Sequence, residues 1–170
     1  NTQGKVVVEK DTLLETKATD QEGRLTFESD LWHGHYYVKE DQHLPGYLPN
    51  DEIWEIDATY EDQNLPAILL EKEVENQPTE SYFTKTDIVT GEPVEGAKLQ
   101  ILDEEGTVVR EWITTKEEHL EYALPAGNYI LHEELPPLED GYVSAEDVSF
   151  EVKEDGTITK VEMKDDFSKV

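Results

Sequence analysis

Apolar residues recur along the chain in short runs rich in β-branched and aromatic side chains. These are Val6-Val7-Val8, Leu25-Thr26-Phe27, Tyr36-Tyr37-Val38, Ile53-Trp54-Glu55-Ile56, Lys98-Leu99-Gln100-Ile101-Leu102, Val108-Val109, Tyr129-Ile130-Leu131 and Val148-Ser149-Phe150-Glu151-Val152. Turn sequences at hairpin spacing separate them: Asp20-Gln21-Glu22-Gly23, Asp103-Glu104-Glu105-Gly106, Pro125-Ala126-Gly127 and Glu154-Asp155-Gly156. No segment carries a long, capped apolar stripe at helical period. The pattern predicts an all-β chain built as sandwiches.

Aligning the turns exposes an internal repeat. Gly34-His35-Tyr36-Tyr37-Val38-Lys39-Glu40 matches Gly127-Asn128-Tyr129-Ile130-Leu131-His132-Glu133, and each is soon followed by Gly-Tyr, at Gly46-Tyr47 and Gly141-Tyr142. Upstream, Gly4-Lys5-Val6-Val7 matches Gly106-Thr107-Val108-Val109. The polar, proline-containing stretch from Glu75 to Glu80 is the natural boundary, giving domains over 1–78 and 79–170 joined as a semi-rigid tandem. Copy two runs from Tyr82 to Leu102 before its Asp103 turn, whereas copy one begins at that turn. Copy one is therefore expected to lack its first strands: either the sequence starts inside a domain, or copy one is a natural variant whose open edge something else covers.

Charge narrows the function. Lysine and arginine number 14 against 41 aspartates and glutamates, a formal net charge of −27 in 170 residues. So acidic a surface repels phosphate backbones and anionic headgroups, which excludes nucleic acid and membrane surfaces as partners. No apolar run is long enough to span a bilayer, and the N-terminal residues contain no export signal. Three Trp, eight Tyr and four Phe spread along the chain argue for packed cores despite the charge. The absence of cysteine removes disulfides, thiolate nucleophiles and cysteine-based zinc sites together.

Side chains on a strand alternate faces, so residues two apart share one. This places Phe83 with Lys85, Tyr129 and Leu131 with Glu133, and Val161 and Met163 with Asp165; in copy one, Tyr36 and Val38 lie with Glu40, and Val74 with Asn76. A single ionisable group on an apolar face usually snorkels out at a strand end. Three are harder to dismiss, because an amine and two carboxyls buried together must pair, become neutral or react. A neutral amine against a protonated carboxyl is a nucleophile facing an electrophile. Held in contact in a dry site, such a pair has an effective concentration high enough for loss of water. The second carboxyl is placed to move the proton and polarise the carbonyl.

The strings Phe83-Thr84-Lys85-Thr86-Asp87, Gly96-Ala97-Lys98-Leu99, Leu124 to Glu133, Gly141-Tyr142 and Val161-Glu162-Met163-Lys164-Asp165 resemble the B-type repeat of Gram-positive collagen adhesins and pilins, the CnaB-like domain. The resemblance covers residues 80–166. It implies two tandem CnaB-type, immunoglobulin-like (prealbumin-like) β-sandwiches, the first lacking its N-terminal strands. It also implies a spontaneous intramolecular isopeptide bond, with Lys85 as nucleophile, Asp165 as acceptor and Glu133 as the catalytic carboxyl. Copy one resembles the family more loosely. There Glu40 corresponds to the catalytic carboxyl and Asn76 to the acceptor, which would release ammonia. Lys5 and Lys10 follow the turn that the family's nucleophile precedes, so no bond is expected in copy one.

The implied role is a stalk or spacer segment of a sortase-anchored adhesin or pilin, extracellular and cell-wall anchored, with adjacent repeats of the same polypeptide as neighbours. Cross-linking is the only chemistry implied, without turnover or cofactor. No Leu-Pro-x-Thr-Gly motif is present, and the chain reads as a monomeric segment excised from a longer stalk. The alternative is a ligand-binding module in which a sheet face recognises collagen, another host protein or a glycan; exposed Trp32, Trp54 or Trp112 would favour it. A weaker possibility is that copy one accepts a lysine-bearing strand from another chain. His33, His35 and His43 crowd near Asp41 without settled ligand geometry, so no metal site is expected. The Asp/Glu-Gly turns lack the spaced acids of a calcium loop, and no phosphate loop or nucleophile elbow is present.

Overall fold

Alternating burial is what turns these short runs into sheets. The computed structural model describes residues 8–59, 71–137 and 143–166, and among them are nine strands and no helix. The strands are β1 (Gly34–Lys39), β2 (Ile53–Ala58), β3 (Glu80–Asp87), β4 (Lys98–Leu102), β5 (Val108–Ile113), β6 (His119–Tyr122), β7 (Gly127–Leu135), β8 (Val148–Val152) and β9 (Thr159–Asp165). Val6-Val7, Lys5 and Gly141-Tyr142 lie outside the described residues.

The chain divides into two compact units, residues 1–39 with 51–72, and residues 40–50 with 73–170. In the first, β1 and β2 pair antiparallel, with Tyr36 opposite Ile56 and Val38 opposite Trp54. These four half-buried side chains share one face, and Tyr37 and Ile53 point away and are exposed. The run Leu25-Thr26-Phe27, expected as a strand, makes no ladder. Its neighbourhood is held instead by side chain to backbone bonds, Lys17 Nζ donating to Thr26 O and the Glu15 carboxylate accepting from Glu28 N and Ser29 N. Such local bonds satisfy the backbone without a partner strand.

The second unit is a sandwich of a three-stranded sheet, β6-β3-β9, and a four-stranded sheet, β5-β4-β7-β8. All pairings are antiparallel except β3 with β9, which run parallel with Lys85 opposite Met163 and Asp87 opposite Asp165. Strand β6 is absent from the runs expected above because it offers a single aliphatic residue, Leu120, and no fully buried side chain. Between the sheets pack Phe83, Leu99, Ile101, Leu131, Val152 and Met163. Phe83 meets Trp112 and Phe150 at ring separations of 5.3 and 5.4 Å.

Two details set the strand ends that matter below. After Thr84 the free side of β3 is closed by the turn that follows it, with Val94 N donating to Lys85 O and Asp87 N to Glu92 O. On β7 the register against β4 shifts, Leu99 facing Glu133 and Lys98 facing Leu135, so Glu133 is the last inward residue before a bulge. Replacing Ile101, fully buried, by alanine should cost about 2–5 kcal/mol of unfolding free energy in denaturant titration. Exposed Ile113 replaced the same way should change it by about 0.5 kcal/mol or less.

Candidate functional site

Three strands aim ionisable groups into the sandwich. On β3 the inward residues are Ser81, Phe83, Lys85 and Asp87; on β7, Tyr129, Leu131 and Glu133; on β9, Val161, Met163 and Asp165. Lys85 and Asp165 come from the three-stranded sheet, and Glu133 faces them from the other. Lys85 Nζ donates to Asp165 Oδ1 at 2.6 Å and lies 3.0 Å from Glu133 Oε1. The side chains are 1% exposed for Lys85 and 0% for both acids. Water contributes almost nothing to solvating them, so the cost of ionising any one falls on the other two.

The remaining oxygens are unequally satisfied. Glu133 Oε2 accepts the Ala145 amide at 2.7 Å, which orients the carboxyl. Asp165 Oδ2 has no hydrogen-bond partner, and Glu133 Oε1 has none of acceptable geometry despite its proximity to the amine. A buried carboxylate oxygen without a donor is costly, whereas a protonated carboxyl supplies a donor of its own. In line with that, burial pushes the Asp165 carboxyl above its ordinary value. Lys85 pulls it back, and the charges of Glu133 and Asp87 add to the rise.

Asp87 is a member of this neighbourhood that the sequence reading passed over. It is 7% exposed, shares the inward face with Lys85, stands opposite Asp165 in the β3–β9 register, and accepts the amides of Val89 and Thr90 at 2.8 Å each. The same alternation that singled out Lys85 points to it, two residues on. Ile88 N donates to Asp165 O, so the backbone is tied across at the point where the acid sits. A cavity of about 80 Å³, lined by Phe83, Leu99, Trp112, Thr114 and His119, reaches Lys85.

Glu40 and Asn76 also meet, within the second compact unit. Asn76 Nδ2 donates to Glu40 Oε1 at 2.9 Å, Asn50 N donates to Glu40 Oε2, and Asn76 Oδ1 is buried without a partner. Among the described residues no lysine nitrogen lies within ion-pair distance of Glu40. Of the tryptophans, Trp112 packs on the core and stacks on His119, Trp54 is partly buried, and Trp32 is 65% exposed. His35 pairs with Asp57 and His43 with Glu154; among the described residues no group of three or more such side chains is arranged to hold a metal ion.

Residues 1–72 and 80–166 match the family model of the SpaA prealbumin-like fold domain. Among solved structures, the Bacillus anthracis TIE protein is 31% identical over 79% of this chain and 25% of its own, with a TM-score of 0.54. The D312A variant of BcpA, the major pilin subunit of Bacillus cereus, is 27% identical over 51% of this chain and 28% of its own, TM-score 0.44. The shaft pilin SpaA of Lactobacillus rhamnosus GG is 18% identical over 90% of this chain and 70% of its own, TM-score 0.46. This chain thus spans about a quarter of the first two. No curated protein gives a significant match. The all-β architecture of the described residues and the twofold family match agree with the tandem CnaB-like reading of the sequence, and the chain belongs to the SpaA prealbumin-like fold domain family.

Proposed function

We propose that this chain is a stalk segment of a Gram-positive surface protein, two prealbumin-like repeats over 1–78 and 79–170, the second welded by an isopeptide bond between Lys85 and Asp165. The observation that carries the reading is a fully buried amine 2.6 Å from a carboxyl oxygen with a second carboxyl at 3.0 Å. Proton transfer within the pair gives a neutral amine and a neutral acid, the forms a dry site favours. Lys85 Nζ attacks Asp165 Cγ; the C–N bond forms, the C–OH bond breaks, and one nitrogen proton joins the departing hydroxyl as water. Glu133, fixed by the Ala145 amide, carries that proton and polarises the carbonyl. The chemistry happens once per molecule, without turnover.

The mechanical consequence follows from topology. β3 opens the second sandwich and β9 closes it, side by side and parallel, so tension entering at Glu80 and leaving after Asp165 shears the β3–β9 ladder. A covalent bond between strands passes that load across and leaves the 80 positions from Lys85 to Asp165 unloaded. By analogy with a disulfide closing a loop of that length, the weld stabilises by about 4 kcal/mol. It does so in a chain with no cysteine. Glu40 and Asn76 are the corresponding carboxyl and acceptor of the first repeat. The natural setting is the cell wall exterior, with neighbouring repeats as partners. Of the three tryptophans Trp32 alone is exposed, and one such ring does not make a ligand-binding face, so the spacer reading is preferred.

Intact mass is the direct test: the chain should weigh one water less than its sequence requires, and Lys85→Ala or Glu133→Ala should restore the full mass. An unshifted wild-type mass rejects the bond. Asp165→Ala should lower Tm far more than a surface substitution.

Lys85→Ala should also acquire a pH dependence. Without the amine, the carboxyls of Asp165 and Glu133 are buried without their cation. The Asp165 carboxyl, already raised by burial, loses the partner that lowers it. Because the folded state then binds more protons, stability is greatest below the ordinary carboxyl range and falls as pH rises toward the raised value. Thermal melts should show the deficit against wild type widening from pH 4 to pH 7.

A further inference from the structure

A second, partly buried arrangement has nothing to do with Lys85. The segment His43-Leu44-Pro45-Gly46-Tyr47-Leu48, which in sequence belongs to the first repeat, packs within the second compact unit. It is gathered by one carboxylate. Glu154, in the turn between β8 and β9, accepts Gly46 N at 2.6 Å and Ala126 N at 3.2 Å through Oε1, while His43 Nε2 donates to Oε2 at 2.8 Å. The backbone continues the contact: Thr79 N donates to Gly46 O, Leu48 N to Gln77 O, and Ala123 N to Thr79 O, each at 2.8–3.0 Å.

The fit is specific for glycine. Gly46 is buried at φ +87°, and a Cβ there would lie 2.3 Å from Ala123 O, a clash with backbone that no rotamer relieves. Apolar burial contributes little, since Leu44 is 64% exposed and Tyr47 and Leu48 are only partly covered. What holds the loop is therefore hydrogen bonding: backbone bonds to Gln77 and Thr79 together with a charge-assisted cluster on Glu154.

We infer that Glu154 and the Ala123–Ala126 backbone form a docking site for the Pro45-Gly46-Tyr47 loop of the same chain, with the Glu154 carboxylate as its latch. The location gives the latch a role. Residues 77–79, to which the loop is bonded, run directly into β3, so the catch closes over the point where the chain enters the sandwich. It is non-covalent and reversible, and it stands whether or not Lys85 and Asp165 are joined.

The latch is sensitive to acid. Gly46 N–H, then the His43 contact, hold the Glu154 carboxyl below its ordinary value against a smaller opposing effect of burial. The titratable groups that act on it across the fold are His43 from the docked loop and Tyr129 from β7, Lys153 and Asp155 being its neighbours in sequence; residues 123–127 bring no titratable side chain. A depressed carboxyl contributes stability that is complete above its unfolded value and lost as pH falls through the folded one. Protonation of Glu154 in acid thus loosens the catch on Gly46 N and His43, leaving the backbone bonds through Gly46 O and Leu48 N to hold the loop alone.

Hydrogen exchange on the full chain, read by NMR at neutral pH, tests this. In Glu154→Ala the amides of Gly46 and Leu48 should exchange about tenfold faster or more, the loss of a charge-assisted bond, with Ile101 and Leu131 amides still protected. Gly46→Ala should release the same segment with Glu154 intact. Wild-type protection of Gly46 and Leu48 in a folded Glu154→Ala overturns the proposal. So does a wild-type acid titration in which the Gly46 amide shift shows no transition below pH 4.5. A concentration-dependent dimer that loses protection on dilution also overturns it, because the loop would then dock on another copy.

Discussion

Taking an amine and two carboxyls out of water costs several kcal/mol per charge, and the second sandwich does so at Lys85, Glu133 and Asp165 together. Each of the three is tolerable only because the other two are in reach. That mutual dependence fixes the relation of β3 to β9 at their C-terminal ends. It also fixes the approach of the two sheets, since Glu133 comes from the opposite layer. The backbone is arranged to match: Val94 and Glu92 close the free side of β3, Ile88 ties to Asp165, and the β7 bulge falls just past Glu133. The proposed weld needs its groups held in contact, and these backbone bonds are what would hold them.

The proposed weld and the proposed latch divide the same mechanical problem. One lies where β3 and β9 end, buried, and depends on exclusion of water. The other lies where the chain enters β3, at a partly covered turn, and depends on a carboxylate that stays charged. In the first, burial drives a carboxyl toward neutrality; in the second, backbone donors keep a carboxyl ionised. The opposite directions of the Asp165 and Glu154 shifts follow from burial at Asp165 and from the Gly46 amide and then the His43 contact at Glu154.

Much of the fold was legible because burial here alternates strictly. Phe83 on β3, Tyr129 and Leu131 on β7, and Val161 and Met163 on β9 share the phase of Lys85, Glu133 and Asp165, so period two alone put these groups on the core side. Asp87 obeys the same rule but sits in a Thr-Asp turn sequence, where an acid has an ordinary reason to be, and the turn bonds it makes are real. Where periodicity is weak the reading failed. β6 has too few apolar residues to register. Leu25-Thr26-Phe27 looks like a strand, yet Glu15 and Lys17 occupy the backbone groups that a ladder needs.

Alternation is a local property, so the chain alone determined which side chains face inward, that the architecture is all-β, and that one design occurs twice. Which inward groups meet is not local. Lys85 finds Asp165 across 80 positions, and Gly46 finds Glu154 across 108, through strand order and the parallel pairing of β3 with β9. Those choices are made by sheet packing and by the exclusion of a Cβ at one glycine. They depend on shape summed over the whole sandwich, which no single stretch of sequence contains.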